Sequence, residues 1–256
     1  MSTLLLRLAG PMQAWGLQSR FSDRDTAREP TKSGVLGLVC AALGKPRDER
    51  PGDGFPTLAD LASLRLGVRV DREGQPRSDF HTAMNVLVAD TTPAQIAKGR
   101  PKLKETEPSV RHYLADAWFT VGLDGDRELL ERINAAVAAP HWPLALGRKA
   151  FPPGLPVRIV GTGPTMPLVE APLTEALATF RDDTRLHPPP VPVVGWRVVL
   201  DADAAPPTLR VIARRMQPDH PLSFSPRRFS PREVVVGTLL PEPHRVSLSP
   251  DPRPSA

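Results

Sequence analysis

The chain has 256 residues, 27.9 kDa and 40% hydrophobic residues, enough for one large domain or two small ones, but 32 prolines, about 12.5% against a usual ~5%, disfavour long helices. A single cysteine, Cys40, excludes an internal disulfide and any multi-cysteine zinc or iron–sulfur site, and no apolar run approaches the roughly 18 residues of a membrane span. Net charge is +5, a surplus that says little until it is located along the chain.

Leu4, Leu6 and Leu8 alternate with Leu5, Arg7 and Ala9, which predicts a first strand ending at Gly10-Pro11. Arg7 also interrupts this start too early for a signal-peptide core, so a cytoplasmic chain with no membrane partner is expected. Thr31 or Ser33 can cap a helix whose stripe is Val35, Leu36, Leu38, Val39, Ala42 and Leu43, stopped by Gly44 and Pro46. Cys40 reads as a small buried hydrophobe on that stripe. Leu64, Leu66, Val68 and Val70 alternate with Arg65, Gly67 and Arg69 as a half-buried strand, and a further strand is expected over 84–89.

From Thr91 to Val110 the chain turns polar and basic, which predicts a projecting hairpin or arm, before a strand resumes over 114–123. Asp126 to Ala139 reads as the best helix, with Leu130, Ile133 and Val137 on one side. This order fits an α+β, ferredoxin-like sheet backed by two helices, occupying residues 1–145. Strands are expected at 157–160, 193–200 and 209–213, with a short helix from Pro172 to Phe180. With fifteen of the prolines after His187, residues 146–240 read as a smaller β-rich region and 241–256 as a flexible tail.

Charge is concentrated in two places. Arg210, Arg214, Arg215, Arg227, Arg228 and Arg232 stand against one acid, Asp219, so this window alone carries a surplus equal to that of the whole chain. Lys98, Arg100, Lys102, Lys104 and Arg111 outnumber Glu105 and Glu107 in the second. Local basic stretches on a balanced chain point to a polyanionic partner, because each phosphate neutralised releases counterions. Arginine suits the task, since its planar fork holds phosphate at two points and stacks on unpaired bases. A GC-rich coding bias accounts for part of the same Arg and Pro excess.

Other chemistry has little support. The six histidines form no ligand pair in sequence, Gly161-Thr162-Gly163-Pro164 lacks the Lys-Ser/Thr of a phosphate loop, and Asp182 and Asp183 read as solvated acids. No cofactor is expected.

The segments LLLRLAGPMQAWG (residues 4–16) and PTKSGVLGLVCAALG (30–44) resemble the CasD family of type I-E Cascade, a CRISPR RNA-guided surveillance complex. DFHTA (79–83), RHYLADAWFTVGL (111–123), LGRKAFP (146–152) and HPLSFSPRRFSPREV (220–234) follow in family order. The resemblance implies a ferredoxin-like, RRM-related domain with a thumb hairpin, here about 91–110, and a non-catalytic subunit that holds the 5′ handle of the CRISPR RNA. It also implies contacts with CasC backbone subunits, with the large CasA subunit, and a place near the target DNA.

Carried over residue by residue, the RNA-contact candidates are Gln13 and Trp15 after the first strand, and Lys32 and Ser33 at the start of the first helix, where free N–H groups favour phosphate. Arg111 and His112 lie at the base of the thumb, Arg148 and Lys149 in the LGRK step, and Arg227, Arg228 and Arg232 in a C-terminal loop, while Lys102 and Lys104 on the thumb are candidates by charge alone, for phosphate or an acidic partner. For Trp15, packing in the core is the favoured reading. Phe151 departs from the small residue or Cys expected at its place in the motif. The alternative is a metal-independent endoribonuclease using His81 or His112, Lys102 or Lys104, and Tyr113.

Overall fold

A computed structural model describes residues 1–17, 22–50, 52–88, 91–99, 101–161 and 167–241. In chain order the elements are β1 (Ser2–Ala9), β2 (Met12–Gln13), β3 (Asp23–Arg24), α1 (Lys32–Leu43), α2 (Leu58–Ser63), β4 (Arg65–Arg72), β5 (Gln75–Leu87), α3 (Pro93–Ala97), β6 (Leu103–Ala115), β7 (Trp118–Gly125) and α4 (Arg127–Ala138). The second half adds β8 (Leu168–Val169), α5 (Leu173–Thr179), β9 (Trp196–Asp201), β10 (Arg210–Phe224) and β11 (Arg227–Leu239). The protein is α+β, built mostly of antiparallel sheet.

A seven-stranded sheet runs β10-β11-β9-β4-β7-β1-β8, every pairing in it antiparallel. Leu4, Leu6, Leu8, Leu66, Val68, Phe119, Val121 and Leu123 all point to one face, where α1 and α4 cover them. The helices form there because their ends are satisfied locally. Thr31 accepts from Gly34 N at 3.3 Å and Gly44 closes α1 at φ 74, while Asp126 accepts from Leu129 N at 2.9 Å to start α4. Cys40 is buried on α1, which pushes its thiol up to about 11.

The opposite face is covered as well. α5 lies across the sheet at Gly67 and Gly122, where an added Cβ would stand 2.9 Å from the Leu177 side chain and 2.4 Å from that of Leu173. β4 is thus buried on both faces rather than half-buried, and Arg69 is enclosed between Asp71, Thr120 and the carbonyls of Leu177 and Phe180, its guanidinium 4.2 Å from the Trp196 ring centre. Arg7 is buried in a pair with Asp182, which corrects the expectation of a solvated Asp182.

Several boundaries differ from the sequence expectation. The basic arm is not confined to 91–110: β5 and β6 pair from Gln75↔Ala115 to Leu87↔Leu103 as one long exposed hairpin, with α3 at its tip. The single strand expected at 114–123 is two, because Asp116 adopts a positive φ of 57° and β7 turns back into the main sheet. Residues 157–160 make only an isolated bridge, Leu6↔Arg158. The expected strand at 84–89 is the end of β5, with Ala89 outside the described residues. Residues 146–240 do not fold away from the first 145: β9 pairs with β4 through Gly67↔Leu200 and Val68↔Val199, and β11 and β10 extend the same sheet. Residues 162–164 of the Gly-Thr-Gly-Pro run and 242–256 of the expected tail lie outside the described residues.

Candidate nucleic-acid interface

The base of the arm is where basic side chains converge. β2 pairs with β6 at Gln13↔Leu114, and β3 runs parallel to β6 at Asp23↔Val110 and Arg24↔Arg111, so three short stretches meet beside Arg111 and His112. The loop 146–151 closes onto this junction: Ala14 N donates to Leu146 O at 3.1 Å, and Gly147 sits at φ 88 with an imagined Cβ only 1.7 Å from Ala14 O. Only glycine fits there. Arg148 therefore reaches back to donate to the carbonyls of Arg24 and Asp25 at 2.8 and 3.1 Å.

Arg24, Arg111 and Arg148 form a cluster of like charges. Burial first, and then the neighbouring Arg111, bring the Arg148 guanidinium below its ordinary pKa, with Arg24 adding to the repulsion and Asp25 opposing it. Among the described residues its buried Nη1 has no hydrogen-bond partner, and it lies near two other guanidinium groups. Phe151 is explained here: its ring packs at 5.9 Å from Tyr113 and 5.7 Å from the Arg148 guanidinium, filling the space beneath both. His112 faces Asp23 at 3.3 Å, and Lys149 is exposed on the same loop.

Gln13 and Trp15 do not face a partner. Both are fully buried: the Gln13 amide donates to Leu8 O and Ala117 O at 3.0 and 2.9 Å, and Trp15 Nε1 donates to Gln13 Oε1 at 3.2 Å. Their polar atoms are spent inside the chain, so the expectation of RNA contact is corrected for both, and the packing reading of Trp15 holds. They stiffen the strand against which the Arg148 loop is set.

Lys32 and Arg232 are corrected for a related reason. Asp219, from β10, occupies the start of α1: its carboxylate accepts from Lys32 N at 2.7 Å, from Gln217 Nε2 at 2.8 Å and from both sides of the Arg232 fork at 2.7 and 3.0 Å. Asp201 accepts from Lys32 Nζ at 3.1 Å, from Leu66 N at 2.7 Å and from Arg232. The anion site expected at this helix start is filled by the protein's own carboxylate. Burial raises Asp201's pKa, but Arg232, Lys32 and the Leu66 N–H together hold it below the usual carboxylate value. Ser33, one residue further along α1, is half-buried.

Arg227 and Arg228 are not in a loop but open β11 at the tip of the β10–β11 hairpin, paired with Phe224 and Ser223. Phe224 packs toward the core, whereas Phe229 is partly exposed beside the two arginines. Arg214 and Arg215 are taken up by Glu233 and Glu29, so the C-terminal window presents less free charge than its composition suggests. Lys102 and Lys104 lie exposed on the arm, Lys104 against Glu107.

The arm carries one feature that charge counting missed. Directly paired residues share a face, so Phe80/Val110, Thr82/Pro108 and Met84/Thr106 form one side, with Phe80 and Met84 about 70% exposed. His81 and Tyr113 share one side of the arm, His112 and Lys104 lie on the other, and Lys104 is eight residues along β6 from His112, roughly 26 Å at the rise of a strand. Lys104 therefore meets neither His112 nor the His81 and Tyr113 side of the arm.

The chain matches the model of the CRISPR-associated protein family (Cas_Cas5) over residues 3–235. It is 35% identical over 162 residues to the CRISPR system Cascade subunit CasD of Escherichia coli (strain K12), covering 59% of this chain and 67% of that one. Two solved structures share its fold. One, described as the crystal structure of a Cas protein, aligns with a TM-score of 0.64 at 38% identity over 93% of this chain and 95% of the other. A chain of a CRISPR RNA-guided surveillance complex aligns with a TM-score of 0.64 at 33% identity, covering 95% of each.

Proposed function

Because the chain belongs to the CRISPR-associated Cas5 family, we propose that it is a non-catalytic, RNA-holding subunit of a type I-E Cascade. In this reading it grips the 5′ handle of the CRISPR RNA in the cytoplasm, caps the filament of CasC subunits and touches the large CasA subunit, near the target DNA. The strand order β8-β1-β7-β4, with α1 and α4 on one face, supports describing this part of the sheet as ferredoxin-like, with β8 supplied from beyond residue 145, and the β5–β6 hairpin is its thumb.

The observation that carries the proposal is the convergence of Arg24, Arg111 and Arg148 at the base of that hairpin. An incoming phosphate relieves the repulsion among the three guanidinium groups. Arg227 and Arg228 form a second contact, with Phe229 beside them as a face for an unpaired base.

The test is binding of handle RNA to the purified full-length chain across a range of salt. Arg111→Ala and Arg148→Ala each weaken binding, and each lowers the slope of log affinity against log salt by roughly 0.7, the single-strand value per phosphate contact. Unchanged affinity and slope in both variants would remove the arm base from the RNA path. Site-specific cleavage of repeat RNA in EDTA, abolished by His112→Ala, would replace this reading with the nuclease.

A further inference from the structure

The most exposed apolar side chains of the described residues lie in a proline-rich crossing between α5 and β9. The run Pro188-Pro189-Pro190-Val191-Pro192-Val193-Val194-Gly195 contains no charged residue. Val193 is 98% exposed, Val194 78% and Val191 47%. Valine does not belong at the centre of a turn on propensity grounds, where Gly, Asn, Asp and Pro are favoured. Here two valines occupy the central positions of one, closed by Gly195 N donating to Pro192 O at 3.2 Å.

The backbone of this run is set in advance. Four prolines hold φ near −65°, and Pro188, Pro189 and Val191, each followed by proline, are driven to the extended polyproline II region. Both ends are anchored, by a 3-10 turn at Thr184–Leu186 and by Gly195, whose φ of 90° lets it press against the Leu239 carbonyl, before Trp196 enters the core. Leu240, 66% exposed, follows directly after that carbonyl. The result is a stiff apolar ridge that loses little freedom on binding.

We infer that residues 188–194 are a docking ridge for a neighbouring protein subunit that presents an apolar, aromatic-lined groove. This rests on the reading of the chain as one subunit of a multiprotein complex. The chemistry selects protein over RNA: prolines offer no N–H, the valines offer no charge, and a preformed polyproline segment is the form that aromatic grooves recognise. Burying even part of the two valines that are open to water accounts for a tenfold or larger gain in affinity.

The experiment uses the full-length chain, wild type and the double variant Val193→Asp, Val194→Asp, with guide RNA and purified CasC and CasA. Two quantities are read: affinity for the RNA alone, and the concentration of this chain at which half of it enters the assembled complex. Because both valines point into water, the variant stays folded, its RNA affinity stays within about twofold, and its assembly midpoint rises by roughly tenfold or more. A second variant, Pro189→Gly with Pro190→Gly, keeps the valines but frees the backbone and gives a smaller rise. An unchanged midpoint in the aspartate variant overturns the inference. A parallel fall in RNA affinity also overturns it, by making the ridge a nucleic-acid contact. Should the wild-type chain fail to bind guide RNA yet assemble in a valine-dependent way, the RNA-holding function falls and the docking ridge stands.

Discussion

Asp201 and Asp219 sit between cations that would otherwise be stranded. Lys32 comes buried from α1 and Arg232, nearly buried, from β11. The two carboxylates therefore tie the C-terminal hairpin to the helical face of the sheet. Asp201 is held below its ordinary pKa near 3.9, so its contribution is present above that pH and is lost as the pH falls through the lower, folded-state value. The melting temperature should drop as pH is lowered from about 5 to about 3. Asp201→Asn should melt lower at pH 7, by a loss of roughly 3 kcal/mol typical of breaking a buried pair, and should show a flatter dependence over that acid range. An equally steep acid limb in Asp201→Asn would show that other carboxylates set it.

At the level of elements, the 146–151 loop decides whether the arm base can bind an anion. Its shape depends on Gly147, since both the positive φ and the contact with Ala14 O forbid a side chain. Gly147→Ala should displace Arg148 while leaving α1, α4 and the main sheet intact. Its affinity for handle RNA should fall at least as far as that of Arg148→Ala, with a loss of thermal stability of about 1–3 kcal/mol. Wild-type affinity in Gly147→Ala would detach Arg148 from binding.

The elements legible in sequence were those whose signal is local. α1, α4, α5 and the first strand were read closely because caps, apolar stripes and prolines mark them. The β5–β6 arm was half seen: its basic tip stood out, but Gln75 to Leu87 has no buried face to impose alternation, since cross-strand pairing alone makes it a strand. β11 was missed for the opposite reason. Val234, Val235 and Val236 are all buried, so alternation disappears there as well. Among site residues, Arg111 and Arg148, named from two separate motifs, come together only in the fold, whereas Lys32 and Arg232 are neutralised by acids distant in sequence. Arg24 joined the site unannounced, because only the pairing of β3 with β6 brings it there. The exposed side of Phe80 and Met84 was equally invisible, as register is a tertiary fact.

At the scale of the whole molecule, one sheet unites both halves of the chain. Residues 1–145 alone would leave the β4 edge without β9 and expose the face that α5 covers at Gly67 and Gly122. They would also retain Arg7, Lys32 and Arg69 without Asp182, Asp201 and the Phe180 carbonyl. Expressed by itself, this portion should aggregate or lack a cooperative thermal transition, measured by circular dichroism and light scattering. A sharp, reversible melt of residues 1–145 would show that the first half folds independently.

The same pairing governs how the protein is born. Gly67 waits for Leu200, and Arg69 for Trp196, so when the first half leaves the ribosome its central strand is still an open edge. Folding as successive units during synthesis is closed to such a chain. The sheet completes only after the C-terminal third has emerged, and the interval before that is when the nascent protein is most open to pairing with the wrong neighbour.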